Sequence, residues 1–222
     1  MKKLCIFDLD GTLLDTLPTI SYYCNLTLRE FGLPEIEEER YKYLAGNGAR
    51  VLIERMIAEV GADKEEYFDK MFEFYNREYD KNFSYLTKVF DGVPELLKGL
   101  ADIGIKTAVI SNKPDFAAVS VVKMFLGDLV HIAHGGRDGI ALKPSPEGVF
   151  KIFEEADVTA DECLYVGDTG TDMETGKNSG IFSIGVLWGF RKEDELLENG
   201  ADLIVSHPLE ILDYAKKIRN KE

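Results

Sequence analysis

Short apolar runs punctuate the chain at residues 4–7, 105–111, 129–133, 163–167, 182–186 and 203–205, most of them stopping at polar or glycine-rich turns. Runs of this length, bounded by turn residues, read as strands buried on both faces. Between most of them apolar residues recur at helical spacing, over 95–103, 115–125, 147–156 and 172–179, and a last helical pattern covers 209–218. Strands alternating with single helices predict an α/β fold, a doubly wound parallel sheet of βαβ units. Such sheets carry their sites in the loops beyond the carboxyl ends of the strands.

One connection breaks this rhythm. Between the strand that ends at Asp8 and the one that begins at Ile105 lies far more chain than a single crossover helix uses, and it is helical by period. Ile20, Cys24, Thr27, Leu28 and Phe31 form one apolar stripe before Gly32, and Leu52, Ile53, Met56, Ile57 and Val60 form a second. Tyr67, Phe68, Met71, Phe72, Tyr75, Tyr79 and Phe83 form a third. The stripes predict a small α-helical domain inserted at residues 15–85, with the sheet domain made of 1–14 and 86–222. Its two connections, near 13–18 and 84–91, are expected to run beside the mouth of the sheet, which would place the insertion as a lid. The charged run 35–40 reads as a solvated helix start.

Charge narrows the choice of partner. Among 222 residues, 26 Lys and Arg face 40 Asp and Glu, a formal charge of −14. A nucleic acid or an acidic membrane would need a basic surface, so neither is expected as a partner, and no obligate protein partner is indicated. An anionic substrate would need a local reversal of that field by cations, backbone N–H groups or a metal. Asp8 and Asp10 interrupt the first apolar run before a signal-peptide core is complete, and no apolar stretch approaches a membrane span. The three cysteines, Cys5, Cys24 and Cys163, have neither disulfide nor metal-ligand spacing and read as buried thiols in a reducing, cytoplasmic setting. His131, His134 and His207 share no spacing that would make a site.

Four polar patches fall at the carboxyl ends of predicted strands: Asp8-Leu9-Asp10-Gly11-Thr12, Ser111-Asn112-Lys113, Lys143-Pro144, and Gly167-Asp168-Thr169-Gly170-Thr171-Asp172. Each alone is an ordinary turn sequence. Together they would bring Asp8, Asp10, Asp168 and Asp172 to one crevice, and that many close carboxylates cannot all stay ionised without a cation. An all-oxygen donor set favours a hard ion such as Mg²⁺, and a metal held by carboxylates suits phosphoryl transfer. In this frame Asp8 is the carboxylate nucleophile, and Asp10, two residues on, gives a proton to the leaving alcohol and later takes one from water. Ser111 and neighbouring N–H groups hold phosphate oxygens, and Lys143 supplies charge to the phosphoryl group. Asp168 reaches the metal, while Asp172 orients metal waters or Lys143. Thr12 and Asn112 are assigned to the substrate.

These patches resemble the four motifs of the haloacid dehalogenase superfamily, in the family's order, and the insertion resembles its small helical cap. Gly46-Asn47-Gly48-Ala49-Arg50-Val51-Leu52-Ile53-Glu54-Arg55, with Ser111-Asn112-Lys113-Pro114 and Lys143-Pro144-Ser145-Pro146, resembles the phosphoglycolate phosphatase subgroup. The resemblance implies nucleophile Asp8, acid/base Asp10, and Mg²⁺ bound by Asp8, the Asp10 carbonyl and Asp168. Ser111 replaces the subgroup's frequent Thr, and Thr169-Gly170-Thr171 replaces its commoner Ser-containing spacer; both keep a hydroxyl. The implied activity is a phosphatase for a small phosphate ester, phosphoglycolate favoured. A phosphoglucomutase-like transferase or a pyrophosphatase or nucleotide phosphatase of the same superfamily is the alternative. Gly46, Asn47, Gly48 and Arg50 are expected to bind substrate, Arg50 through a second anionic group; the bland reading of Arg50 is a surface pair with Glu54.

Overall fold

The computed structural model describes residues 1–219. Met1–Asp15 and the chain from Lys88 onward form one compact unit, and Thr16–Thr87 form a second.

The first unit opens with β1 (Leu4–Phe7), all four residues buried, and the two-residue β2 (Leu14–Asp15). The chain then builds the helical unit from α1 (Leu17–Glu30), α2 (Glu38–Leu44), α3 (Ala49–Glu59) and α4 (Lys64–Lys81). Pro18 stands in the first turn of α1, where its missing N–H costs nothing. The Asp63 side chain caps α4 by accepting from the Glu66 N–H at 2.9 Å. Phe68, Met71, Tyr75 and Tyr79, at one-turn and two-turn intervals along α4, are its buried face. Tyr79 meets Tyr23 of α1 edge-on at 5.4 Å, and the buried Tyr41 hydroxyl donates to Asn25 Oδ1 at 2.7 Å. The aromatic stripe is packing for this bundle.

The first unit resumes at β3 (Lys88–Val89), which pairs antiparallel with β2, Leu14 opposite Val89. It continues through α5 (Val93–Asp102), β4 (Lys106–Pro114), α6 (Asp115–Phe125), β5 (Ile132–Gly136) and α7 (Glu147–Ala156). It ends with β6 (Cys163–Gly167), α8 (Gly170–Asn178), β7 (Phe182–Val186), α9 (Glu193–Glu198), β8 (Leu203–Val205) and α10 (Pro208–Arg219). Six strands form one parallel sheet in the order β5-β4-β1-β6-β7-β8. The fold is thus α/β with a doubly wound parallel sheet. The chain winds outward from β1 through β4 to β5, then returns to the other side of β1, so β1 lies at the topological switch. Leu4, Ile6, Ala108, Ile110, Ile132, Val149, Ile152, Cys163 and Tyr165 share one buried cluster, in which the alternate residues of β1, β4 and β6 meet α7.

Three elements depart from the sequence expectation. Residues 129–133 are not a strand throughout: Gly127–Leu129 form a 3₁₀ turn, and β5 starts at Ile132. The Leu129 carbonyl is taken by the Thr107 hydroxyl, so this apolar stretch satisfies its backbone outside the ladder. Strand β4 runs three residues past the expected Ser111, keeping Asn112 and Lys113 in extended backbone. The β2–β3 pair has no sequence signal, because two-residue strands carry no period.

Ile6 is fully buried in the central strand. Ile6→Ala is expected to destabilise the sheet unit by about 2–5 kcal/mol. Urea unfolding followed by Trp188, the single tryptophan, checks it; an unchanged midpoint would contradict the packing described.

Candidate active site

Asp8 follows β1, at the switch point of the sheet, and its oxygens meet two loops. Lys143 Nζ lies 2.5 Å from Asp8 Oδ1 and 2.7 Å from Asp172 Oδ1, so one ammonium bridges two carboxylates. The Thr12 hydroxyl donates to Asp168 Oδ1 at 2.9 Å and lies 3.4 Å from Asp8 Oδ2. Asp8, Asp168 and Asp172 are all buried and offer carboxylate oxygens within 4.8 Å of one another. Gly11 sits at φ 93°, where other residues are strained, and a Cβ there would stand 2.3 Å from Asp168 Oδ2. Glycine at position 11 is what lets the Asp10 turn and Asp168 share the space.

Asp172 is fixed by its helix. Thr169 caps α8 in a capping box: the Thr169 N–H and hydroxyl donate to Asp172 Oδ2 at 3.0 and 2.6 Å. Tyr165, buried in β6, adds its hydroxyl to Asp172 Oδ1 at 3.3 Å. Asp172 therefore spends one oxygen on its own helix start and the other on Lys143.

Two residues assigned to substrate have other work. Asn112 Oδ1 accepts from the Lys143 N–H at 2.8 Å, and its Nδ2 donates to the Lys143 carbonyl at 3.2 Å. It clasps the Lys143 backbone. Thr12 bridges carboxylates as described. The Ser111 hydroxyl accepts from the Lys113 N–H at 3.2 Å.

Lys113, which the sequence offers only as part of a patch, is itself in the site. Its side chain is 5% exposed, and Nζ lies 2.8 Å from Asp10 Oδ1. The register of β4 with β5 shifts between Ile110 and Pro114, so no regular strand period in the sequence marked Lys113 as a site residue. The loop after β7 also belongs here. The Phe190 N–H donates to Asp168 Oδ2 at 2.7 Å, and Trp188 Nε1 donates to the Thr12 carbonyl at 2.9 Å. The sequence offers Trp188-Gly189-Phe190-Arg191, just past a predicted strand, either as lining for the mouth or as an ordinary loop.

Gly46, Asn47, Gly48 and Arg50 lie in the helical unit, Gly46 and Gly48 at φ 110° and 84° leading into α3. The exposed Arg50 guanidinium stacks 4.9 Å over Phe68 and 5.4 Å over Phe72. Glu54 pairs with Lys64 at 3.1 Å. The three cysteines are buried and free. His134 pairs with Glu155 at 2.9 Å, and His131 Nδ1 accepts from the Thr107 N–H at 3.3 Å, both as local structural contacts.

Burial pushes the Asp8 carboxyl well above the carboxylate range; Lys143 opposes this, while Asp172 and Asp168 add to it. Burial, then the charge of Asp172, raises Asp168 to about 7 against the Phe190 N–H and the Thr12 hydroxyl. Burial alone would lower Lys143, but Asp172 and Asp8 outweigh it and hold the ammonium charged. With Asp10 the site brings four carboxylates against Lys143 and Lys113. An all-oxygen cluster that takes up protons for want of positive charge suits a hard divalent cation.

The chain matches the haloacid dehalogenase-like hydrolase family over residues 5–186. It is 31% identical to a phosphoglycolate phosphatase of Pseudomonas savastanoi pv. phaseolicola, over 98% of this chain and 79% of that one. It is 30% identical to an N-acetylmuramic acid 6-phosphate phosphatase of Pseudomonas aeruginosa, over 95% and 93% respectively. A crystal structure from Lactobacillus delbrueckii subsp. bulgaricus superposes with a TM-score of 0.90 at 29% identity, over 96% of this chain and 98% of that one.

Metal-free stability should carry this strain. Asp168 titrates at about 7 folded and near 3.9 unfolded, so between those values the folded state holds the extra proton. The Asp168 contribution to stability then falls as pH rises through that window and levels off above it. In EDTA the melting temperature is expected to be several degrees lower at pH 8 than at pH 5.5, with divalent cation raising it at pH 8. Asp168→Asn should weaken both effects; scanning fluorimetry showing the same pH slope and cation response in that variant would contradict the assignment.

Proposed function

The chain belongs to the haloacid dehalogenase-like hydrolase family, and from that premise we propose that it is a Mg²⁺-dependent phosphatase that cleaves a small carboxylated phosphate ester through a phosphorylated Asp8. The observation that carries this reading is the buried Asp8–Lys143–Asp172 bridge beside Asp168.

In the first half-reaction an Asp8 carboxylate oxygen bonds to phosphorus as the bond to the leaving oxygen breaks, and protonated Asp10 gives that oxygen its proton. In the second, Asp10 takes a proton from water, the water oxygen bonds to phosphorus, and Asp8 leaves as inorganic phosphate forms. Lys143 offsets the phosphoryl charge, and Asp172 and Asn112 keep it aimed at Asp8. Ser111 is suited to hold a phosphate oxygen. Lys113 holds the Asp10 carboxylate. A Mg²⁺ ion held by the carboxylates of Asp8 and Asp168 and the carbonyl of Asp10 would supply the positive charge that the two lysines leave wanting. With Asp10 protonated as the acid, three carboxylates, two ammonium groups and one divalent cation leave a single net positive charge, so the site can accept a phosphate dianion in a chain of charge −14.

For the substrate, phosphoglycolate is favoured: it is the substrate in the first relative's name, and the second relative's name is also that of a phosphorylated acid. Arg50 is the residue proposed to recognise the carboxylate. Stacking on Phe68 and Phe72 restricts its rotamers, so less entropy is lost when it binds an anion.

Acid quench and intact-mass measurement test the chemistry. Wild type with Mg²⁺ and substrate should show a phosphorylated fraction that maps to Asp8 and should release inorganic phosphate; EDTA should remove both. Asp8→Asn should lose turnover while remaining folded, and a phosphoenzyme formed by that variant at the wild-type rate would falsify the nucleophile.

Arg50→Ala should raise KM for phosphoglycolate by roughly 10-fold, the loss of one charge-assisted hydrogen bond. It should leave p-nitrophenyl phosphate hydrolysis nearly unchanged, since that ester has no carboxylate. Steady-state kinetics on both esters decide it, and equal effects on the two would return Arg50 to a surface role.

A further inference from the structure

The loop that follows β7, Trp188-Gly189-Phe190-Arg191, contributes nothing to the proton or phosphoryl transfers above, yet three of its contacts converge on the carboxylate cluster. The Phe190 N–H donates to Asp168 Oδ2 at 2.7 Å. Gly189 lies against the Asp168 side chain so closely that a Cβ would stand 2.3 Å from Asp168 Cβ and 2.5 Å from the Gly11 carbonyl oxygen. Trp188 Nε1 ties the loop to the Thr12 carbonyl at 2.9 Å, and the Thr12 hydroxyl in turn donates to Asp168 Oδ1. On the far side Arg191 pairs with Glu195 at 3.1 Å, and Glu195 accepts the Gly170 N–H at the start of α8. The loop is anchored to the Asp10 turn at one end and to the α8 start at the other, with Asp168 held between.

We propose that this loop is a positioning device for the divalent cation: its backbone pins Asp168 Oδ2, so that Asp168 presents Oδ1 toward Asp8. The inference rests on the cation reading given above and deepens it. A freely rotating carboxylate would lose rotamer entropy on each binding event and could turn either oxygen to the ion. The Phe190 N–H and the Gly189 backbone remove that freedom before the ion arrives, and outer groups that orient ligands in this way carry about 10–100-fold in metal affinity. Gly189 is the essential position, because any side chain there must displace Asp168 or the Gly11 turn. The role of Trp188 is the indole N–H, since the Thr12 backbone it holds carries the hydroxyl on Asp168 Oδ1.

Mn²⁺ serves as the probe, its binding to the metal-free enzyme followed by electron paramagnetic resonance, with melting temperatures taken in EDTA. Gly189→Ala is expected to weaken Mn²⁺ binding at least 10-fold. Trp188→Phe, which keeps the ring and loses the donor, should weaken it about 3-fold with an EDTA melting temperature within a few degrees of wild type. Leu187→Ala, exposed in the same connection, should bind as wild type does. Wild-type affinity in both Gly189→Ala and Trp188→Phe overturns the proposal, and if Gly189→Ala does not fold, wild-type affinity in Trp188→Phe alone overturns it. Equal weakening in Leu187→Ala would mean general loosening of the loop and would also overturn it. Wild type and Asp168→Asn binding Mn²⁺ alike would instead sink the cation reading itself, which is a distinguishable result.

Discussion

Three buried carboxylates within 4.8 Å of one another is the condition that the rest of the sheet unit is arranged to meet. Burial and mutual repulsion both favour protonation, and the pKa values of Asp8 and Asp168 rise accordingly. A single ammonium, Lys143, lies between Asp8 and Asp172 and is held charged by them. Such a cluster is tolerable only when every oxygen is supplied with donors. Thr169 and Tyr165 serve Asp172, Thr12 and Phe190 serve Asp168, and the Asn112 amide keeps the Lys143 backbone in place.

The parallel sheet makes this convergence possible. Strand β1 lies between β4 and β6, so the ends of three strands and the loop after β7 open on the same side. Parallel strands with helical crossovers bring residues far apart in sequence, such as Asp8 and Lys143, to one place without long loops. The glycines at 11 and 189 then allow backbone to approach Asp168 where a side chain would not fit. The helical unit solves a different problem: its aromatic faces form a core of their own, and two of the rings also carry Arg50.

Strands β1, β6, β7 and β8 and helices α6 and α7 have the bounds that their apolar runs and periods predict. Strands β1, β6 and β7 lie inside the sheet and α6 and α7 bury an apolar face, where burial writes a strong pattern into sequence, while β8 is an edge strand legible from its short apolar run. The exceptions have local causes. The stretch 129–133 is apolar enough for a strand, but its first residues close a turn under Thr107. Strands β2 and β3 are too short for any period, and their pairing joins residues 14 and 89. Among the candidate site residues, Asp8, Asp10 and Asp168 announce themselves as strand-end charges, whereas Lys143 stands in the loop between β5 and α7 and Asp172 in the first turn of α8. Lys113 announces itself only if β4 is known to extend beyond Ser111.

What the sequence determined by itself is the inventory: which strands are buried, where they end, and which carboxylates and lysines stand at those ends. Composition and periodicity are local properties, and local patterns reach only that far. Which oxygen each donor serves was decided by tertiary structure alone. Asn112 clasps the Lys143 backbone, the Thr12 hydroxyl lies between two carboxylates, and an aromatic loop 176 residues from Thr12 closes on Asp168. Hydrogen bonds depend on distance and direction at the scale of a few tenths of an ångström. Those are fixed only when separate crossovers have packed against the same sheet.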